Sequence, residues 1–107
     1  MTADEAIAQH RAFLAEIGED ILIRRVGVPD VTVRARVMGY QPKELIGTIA
    51  QGDVKIIAMA EALADRLPLT TNDAVVVRGK EISIKAVDDN TRRIGGTLIA
   101  LEIQAGD

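Results

Sequence analysis

A chain of 107 residues, 48% of them hydrophobic, is long and apolar enough for one domain with a buried core, which argues against a multidomain enzyme and against disorder. Phe13 and Tyr40 are the only aromatic residues and the formal charge is -3, so neither base stacking nor a general attraction to phosphate favours nucleic-acid binding. The absence of cysteine excludes disulfides, thiolate nucleophiles and thiolate metal sites.

No apolar stretch approaches the length of a membrane span, and no basic segment followed by an apolar run opens the sequence. We therefore expect a soluble protein that is cytosolic where it is made.

Residues 1–18 are predicted to contain an amphipathic helix. Thr2 and Glu5 have the spacing of a capping box, and Gly18 is expected to end the helix in the left-handed conformation. The helix needs a partner surface for its apolar stripe, either in its own domain or on a neighbouring subunit. The stripe recurs at steps of three and four and comprises Ala3, Ala6, Ile7, His10, Phe13, Leu14 and Ile17.

The next segment has the alternation of a β-hairpin. Residues 21–26 and 31–37 are predicted as strands, joined by a turn at residues 27–30. In the second strand, apolar residues alternate with Thr32, Arg34 and Arg36, which predicts one buried face and one cationic face.

Residues 40–53 are predicted to form a long, mobile loop. Pro42, Gly47 and Gly52 interrupt its few apolar residues, which follow no steady period. Connections of this length without regular structure are most often functional or disordered. The loop is therefore the part of the chain with the strongest claim to a role.

Strands resume after the loop. We predict a strand at residues 54–59, a short helical segment at residues 60–66, and a meander of three strands in the last forty residues. Gly79 and Lys80 are predicted as the tight turn of a hairpin, after which Glu81, Ser83 and Lys85 alternate with Ile82, Ile84 and Ala86. Residues 97–104 are predicted as the final strand.

Together these elements predict an all-β fold with helical decoration. Five or six short strands favour a small, mostly antiparallel β-barrel or sandwich, with the N-terminal helix at one end. We expect a single domain over residues 1–107, in which residues 20–104 form the barrel with its long loop.

The sequence offers no catalytic constellation. His10 is the only histidine and is interpreted as a partly buried helix residue, and Ser83 is the only serine and lacks a glycine elbow. Asp88 and Asp89 lack the ligand spacing of a calcium loop, and Gly79 with Lys80 lacks the rest of a phosphate loop. We predict no catalytic, cofactor-binding or metal-binding residues, and hence no enzymatic activity.

Two candidate contact surfaces remain. Arg24, Arg25, Arg34 and Arg36 lie close together in sequence with one acid, Asp30, between them. They predict a charged contact surface for phosphate or for an acidic protein, the alternative being a solvated strand face.

The second candidate is the long loop. Leu45, Ile46 and Ile49 are apolar without an evident core role, as in a segment that orders against a partner; the alternative is a surface loop without a role. The predicted interface residues are Tyr40, Gln41, Pro42, Lys43, Glu44, Leu45, Ile46, Gly47, Ile49, Gln51, Gly52 and Asp53.

The order and spacing of several short motifs, taken together, match a known pattern. The motifs are residues 33–37, Gln41-Pro42, Glu44-Leu45, Gly47, Gln51-Gly52-Asp53, Asn72-Asp73, residues 75–77, Gly79-Lys80, residues 82–84 and Val87-Asp88. In this order, over most of residues 20–104, the chain resembles the head-tail joining proteins of long-tailed bacteriophages, the group called head-tail adaptors, stoppers or head completion proteins.

The resemblance implies a structural virion protein, encoded by a phage or prophage, that assembles in the bacterial host cytoplasm. Copies of the chain would form a ring between the portal-side connector and the tail proteins, complete the DNA-filled head and dock the tail. The loop from Gln41 to Asp53 would order on assembly, and genomic DNA would pass through the ring without sequence-specific binding. A tail terminator belongs to the same class. The alternative from another class is a cytosolic β-barrel binding or adaptor module that uses the predicted charged contact surface of arginines.

Overall fold

The computed structural model describes residues 1–41, 44, 47 and 49–107. In this part of the chain, one helix packs on a closed antiparallel β-barrel with the strand order β1-β2-β3-β8-β5-β4. The predicted all-β fold with helical decoration is confirmed, and of the two predicted architectures the chain forms the barrel. The barrel strands are β1 Glu19–Arg24, β2 Val31–Gly39, β3 Val54–Met59, β4 Ala74–Val77, β5 Lys80–Asp88 and β8 Ala100–Gly106.

Smaller elements precede the barrel strands or lie in the connections between them. Helix α1 spans Ala3–Ile17, and a 3-10 helix, Glu61–Arg66, follows β3. Strands β6, Arg93–Ile94, and β7, Thr97–Leu98, form a short hairpin outside the barrel. The predicted final strand at residues 97–104 is thus divided between β7 and β8.

The barrel interior is aliphatic because every barrel strand contributes apolar side chains to its inner face. Ile21 on β1 pairs with Val33 on β2, and both are buried. Burying an aliphatic side chain of this size stabilises the fold by roughly 1.5 to 3 kcal/mol. The core also takes in Leu63 from the 3-10 helix and Leu69 from the segment after it. Its buried members are Ile21, Ile23, Val33, Ala35, Ile56, Ala58, Leu63, Leu69, Val75, Val77, Ile84, Leu101, Ile103 and Ala105.

Helix α1 lies on the outside of the barrel and contacts β2, β3 and β6. Its start is the predicted capping box: the Glu5 amide donates to Thr2 Oγ1 at 3.1 Å, and the Thr2 amide donates to Glu5 Oε1 at 3.0 Å. Ala6 and Leu14 are its buried residues, whereas Phe13 and Ile17 of the predicted stripe are exposed. Among the described residues, no helix has the length and apolar character needed to cross a membrane.

The prediction that Gly18 ends α1 in the left-handed conformation is wrong. Its backbone is extended, with φ -80° and ψ -179°. A Cβ at this position would lie 2.5 Å from the Leu14 carbonyl oxygen and 2.9 Å from that of Ala35, so the glycine allows α1 to approach β2 closely. Arg34 caps the helix instead, donating to the Leu14 carbonyl at 3.0 Å and the Ala15 carbonyl at 3.2 Å.

Two predicted turns are shifted in the structure. The β4–β5 turn is formed by Arg78 and Gly79, whose φ angles of 51° and 82° suit a two-residue hairpin, and Lys80 already belongs to β5. The first predicted strand is too long at its C-terminal end, because β1 ends at Arg24. Val26 therefore lies in the β1–β2 turn and is 95% exposed.

Candidate functional site

The β2–β3 loop, residues 40–53, connects two neighbouring strands of the barrel. Its described residues are Tyr40, Gln41, Glu44, Gly47 and residues 49–53. Pro42, Lys43, Leu45 and Ile46, which belong to the predicted interface, lie outside the described residues. The predictions that the loop is mobile and binds a partner stay predictions.

The beginning of the loop is attached to β3. Glu44 and Gln41 close a small turn, in which the Glu44 amide donates to the Gln41 carbonyl and the Gln41 amide donates to Glu44 Oε1, both at 2.8 Å. Lys55 Nζ donates to Glu44 Oε2 at 3.0 Å and lies 5.4 Å from the centre of the Tyr40 ring. This lysine therefore joins an ion pair to a cation–π contact at the point where the chain leaves β2.

The end of the loop is attached through a buried carboxylate. Asp53 Oδ1 accepts a hydrogen bond from Lys85 Nζ at 2.8 Å, and Oδ2 accepts from the Ala50 amide at 2.9 Å and from Gln104 Nε2 at 3.0 Å. Only 3% of the Asp53 side chain is exposed. A carboxylate buried to this degree needs such partners, because desolvation disfavours its charge. We call Asp53, Lys85 and Gln104 the Asp53 cluster.

A register shift in β5 and a glycine in β8 make room for the Asp53 cluster. The register between β5 and β8 shifts between Ile84 and Ala86, and Lys85 lies at this irregularity. Bulges of this kind redirect a side chain. Opposite, a Cβ on Gly106 would collide with Asp53 Oδ1, so the glycine leaves the space that the carboxylate occupies. Both β5 and β8 thus have local features that accommodate the Asp53 side chain.

The cluster determines the charge state of this end of the loop. Burial raises the pKa of Asp53 and is the largest single influence, but the hydrogen bonds from Lys85, the Ala50 amide and Gln104 outweigh it and hold the pKa below its ordinary value. Asp53 is therefore ionised at neutral pH. Burial raises the pKa of the Tyr40 phenol, and the nearby carboxylates, Asp53 first, raise it further.

A groove of about 320 Å³ separates the loop from the outer surface of β5 and β8. Its charged residues are partnered: Glu102 Oε2 lies 3.4 Å from Arg92 Nε, and Asp88 accepts hydrogen bonds from the Asn90 and Thr91 amides. The groove is a mixed-charge surface suited to polar contacts. It is lined by Tyr40, Glu44, Lys55, Ala86, Val87, Asp88, Glu102 and Gln104.

The four predicted surface arginines occupy separate places. Arg24, at the end of β1, donates to Asp30 Oδ2 at 2.8 Å and to Glu81 Oε1 at 2.7 Å. Arg25 holds Asp73 with two hydrogen bonds of 2.8 and 3.0 Å. These two guanidinium groups are therefore engaged within the molecule.

The other two arginines lie on the outer face of β2. Arg34 caps α1 as described, and Arg36 is half-buried and paired in register with Ile57 of β3. In the described residues the Arg36 guanidinium has no hydrogen bond or ion pair. The predicted charged contact surface stays a prediction, and of its four residues Arg36 has the most freedom to contact a partner.

Sequence reasoning missed Lys85 and Gln104 as partners of Asp53, and it missed the equivalent role of Asp73. A usable signal was present: Asp53 and Asp73 each close a polar turn directly before an apolar strand, where an aspartate side chain commonly bonds the backbone. His10 agrees with its interpretation, since it is half-buried and its Nδ1 lies 2.9 Å from the Ala6 carbonyl oxygen. The described residues contain no group of three or more histidine and carboxylate side chains placed to hold a metal ion.

The chain matches no protein-family model, no curated protein and no solved structure. Its class is given by geometry, as a six-stranded antiparallel barrel with an N-terminal helix. The candidate site is the β2–β3 loop, attached to the barrel by ion pairs at its beginning and at its end.

Proposed function

We propose that this chain is a structural subunit of a bacteriophage virion, a head-tail joining protein. Copies form a ring that completes the DNA-filled head and docks the tail. The observation that carries this proposal is the β2–β3 loop, a long connection held to the barrel by Glu44 with Lys55 at one end and by the Asp53 cluster at the other. Such a segment can change partners while the barrel stays intact.

Closure of the barrel limits how subunits associate. A sheet with open edges can add strands from a neighbour, whereas a closed barrel has no edge to offer. Contacts between copies must therefore use loops, outer surfaces or the short β6–β7 hairpin outside the barrel. In a ring, the β2–β3 loop of one subunit would pair with a loop or surface of the next.

Exposed apolar side chains support two separate contact surfaces. Phe13 on α1 is 53% exposed, and Val26 in the β1–β2 turn is exposed almost completely. A ring built from identical subunits needs two different surfaces, one meeting the other across each interface. The portal-side connector and the tail proteins would cover further surfaces, and the net charge of -3 favours free passage of DNA.

The test is tail attachment in vitro. DNA-filled heads that lack this protein are mixed with purified protein and then with tails, and infectivity is scored with and without the protein. We expect infectivity to be restored; failure with the cognate phage overturns the proposal. Val26→Asp should reduce the rescue because it places a carboxylate in an apolar contact, whereas the matched control Ala64→Asp, on the 3-10 helix, should rescue fully.

A cytosolic β-barrel binding or adaptor module is the second candidate function. Arg36 favours it, because this half-buried arginine on the outer face of β2 has no hydrogen bond or ion pair among the described residues. This function predicts that an acidic peptide binds the isolated chain and that Arg36→Glu abolishes binding. A chain that rescues tail attachment and shows no such binding excludes it.

A further inference from the structure

The Asp53 cluster joins a turn to strands that are held independently. Asp53 lies outside the barrel strands, and its amide donates to the Ala50 carbonyl at 3.1 Å, which closes the turn of residues 50–53. Lys85 and Gln104 belong to β5 and β8, and both strands are paired on two sides. The Asp53 contacts can therefore break without opening the barrel.

The chemistry of the cluster favours reversible contact. Lys85 Nζ makes a single hydrogen bond to Asp53, and 28% of the lysine side chain is exposed. A lysine ammonium on a flexible stem is readily rehydrated, unlike a guanidinium fixed by a two-point contact. The remaining polar partner, Gln104, is neutral. Loss of the Asp53 charge thus removes the ion pair with Lys85, the strongest attraction in the cluster. The Lys85 ammonium can then be solvated by water.

We infer that the Asp53 cluster is a latch that holds the turn of residues 50–53 on β5 and β8, and that neutralising Asp53 releases this turn while the barrel stays folded. The titratable and charged groups around Asp53 are Lys85 from β5 and Tyr40 from the end of β2, with Glu44, Lys55 and Glu102 further along the groove. The use of the latch in ring assembly rests on the proposed function, since release would change what the loop presents to a neighbouring subunit.

The latch is tested by amide hydrogen exchange on the full-length protein. In Asp53→Asn, we expect the Ala50 and Asp53 amides to exchange at least roughly tenfold faster, while amides in the β1–β4 ladder keep their protection. Lys85→Met should act in the same direction because it removes the ammonium partner. Asp89→Asn is the matched control, since Asp89 is exposed and its side chain forms no hydrogen bond or ion pair among the described residues.

Two results would overturn the inference. In the first, exchange of the Ala50 and Asp53 amides is unchanged in Asp53→Asn. In the second, the β1–β4 ladder loses protection to the same extent as the turn, which makes Asp53 a general stability residue. If Asp53→Asn does not fold, Gly106→Ala replaces it, because the added methyl group would displace the carboxylate.

Failure of the latch and failure of the proposed function give different results. Turn release is measured on the isolated protein, without heads or tails. Faster exchange in Asp53→Asn with no rescue of heads by wild type supports the latch and rejects the virion role. Rescue by wild type with unchanged exchange in Asp53→Asn supports the virion role and rejects the latch.

Discussion

Two turns of this molecule have the same local construction and different roles. Asp53 stands directly before β3, and Asp73 stands directly before β4. Each aspartate amide donates to the carbonyl three residues earlier, Ala50 at 3.1 Å and Thr70 at 3.0 Å. Each carboxylate accepts a hydrogen bond from the amide of that same residue, at 2.9 Å in both turns. The two turns therefore have nearly the same hydrogen-bond geometry, which is set by local sequence.

The cation that meets each carboxylate makes the difference. Arg25 grips Asp73 at two points and also donates to the carbonyl oxygens of Arg66 and Pro68. The segment before Asp73 contributes Leu69 to the barrel core. Lys85 holds Asp53 at one point, and none of residues 49–52 before Asp53 belongs to the barrel core. One turn is thus part of the core structure, and the other is an attachment point.

The largest expected effect is the loss of the Asp73 carboxylate. Asp73→Asn leaves Arg25 facing a neutral group, and we expect it to lower the free energy of unfolding by roughly 3 kcal/mol, because it removes a buried carboxylate that Arg25 holds by two hydrogen bonds. Asp53→Asn should cost about 1 kcal/mol, because Lys85 makes one hydrogen bond to the carboxylate, whereas Arg25 makes two to Asp73 and is also bonded to two carbonyl oxygens. Urea denaturation of both variants measures the difference. An equal or larger cost for Asp53→Asn would contradict the contrast between the turns.

A smaller effect is expected from Gly106→Ala. The new Cβ would collide with the Asp53 carboxylate, so we expect a loss of about 1 kcal/mol in the free energy of unfolding. The double variant Asp53→Asn/Gly106→Ala should lose less stability than the sum of the two single losses, since both substitutions disrupt the same contacts. In Gly106→Ala, the amides of the Asp73 turn should keep their protection. Fully additive losses in the double variant would show that Gly106→Ala destabilises the fold by a route other than the Asp53 contacts.

Acid should reduce the difference between wild type and Asp53→Asn. The pKa of Asp53 is lowered in the folded state from its ordinary value of 3.8, so its contribution to stability is complete above that value and is lost as the pH falls through the folded value. We expect the difference in urea midpoints to be constant near neutral pH and to shrink below about pH 4. A difference in urea midpoints that grows as the pH falls would contradict this expectation.

The smallest expected effect concerns a cation without a partner. Arg36→Gln should change the free energy of unfolding by less than about 0.5 kcal/mol, because its guanidinium has no hydrogen bond or ion pair in the described residues. This variant provides the baseline against which the Lys85 and Arg25 contacts are judged. A loss as large as that of Asp53→Asn would show that Arg36 carries a structural role of its own.

The sequence was sufficient for those features that depend on local pattern. Alternation of apolar residues predicted the β1–β2 hairpin, and the Thr2–Glu5 spacing predicted the start of α1, because both are set by neighbours a few residues apart. Gly18 was misjudged since its role is close approach to Ala35, a contact made only in the folded barrel.

The Asp53 cluster was beyond sequence reasoning for a physical reason. Strict alternation in β5 predicts that Ala86 faces inward, yet the register shift after Ile84 leaves Ala86 exposed and turns Lys85 toward Asp53. A bulge of one residue leaves no period in the sequence. Gln104 joins the cluster only through the pairing of β8 with β3, which depends on the whole topology.

The position of β8 in the strand order has a consequence for folding. Strands β3, β2, β1, β4 and β5 can pair in that order as soon as they are synthesised, but this sheet has two unpaired edges. Residues 100–106 follow the other barrel strands along the chain and close the gap between β3 and β5, so the barrel cannot close until β8 is in place. Until β8 pairs, the two edges of such a sheet are free to pair with other chains, and the placement of β8 ends that exposure.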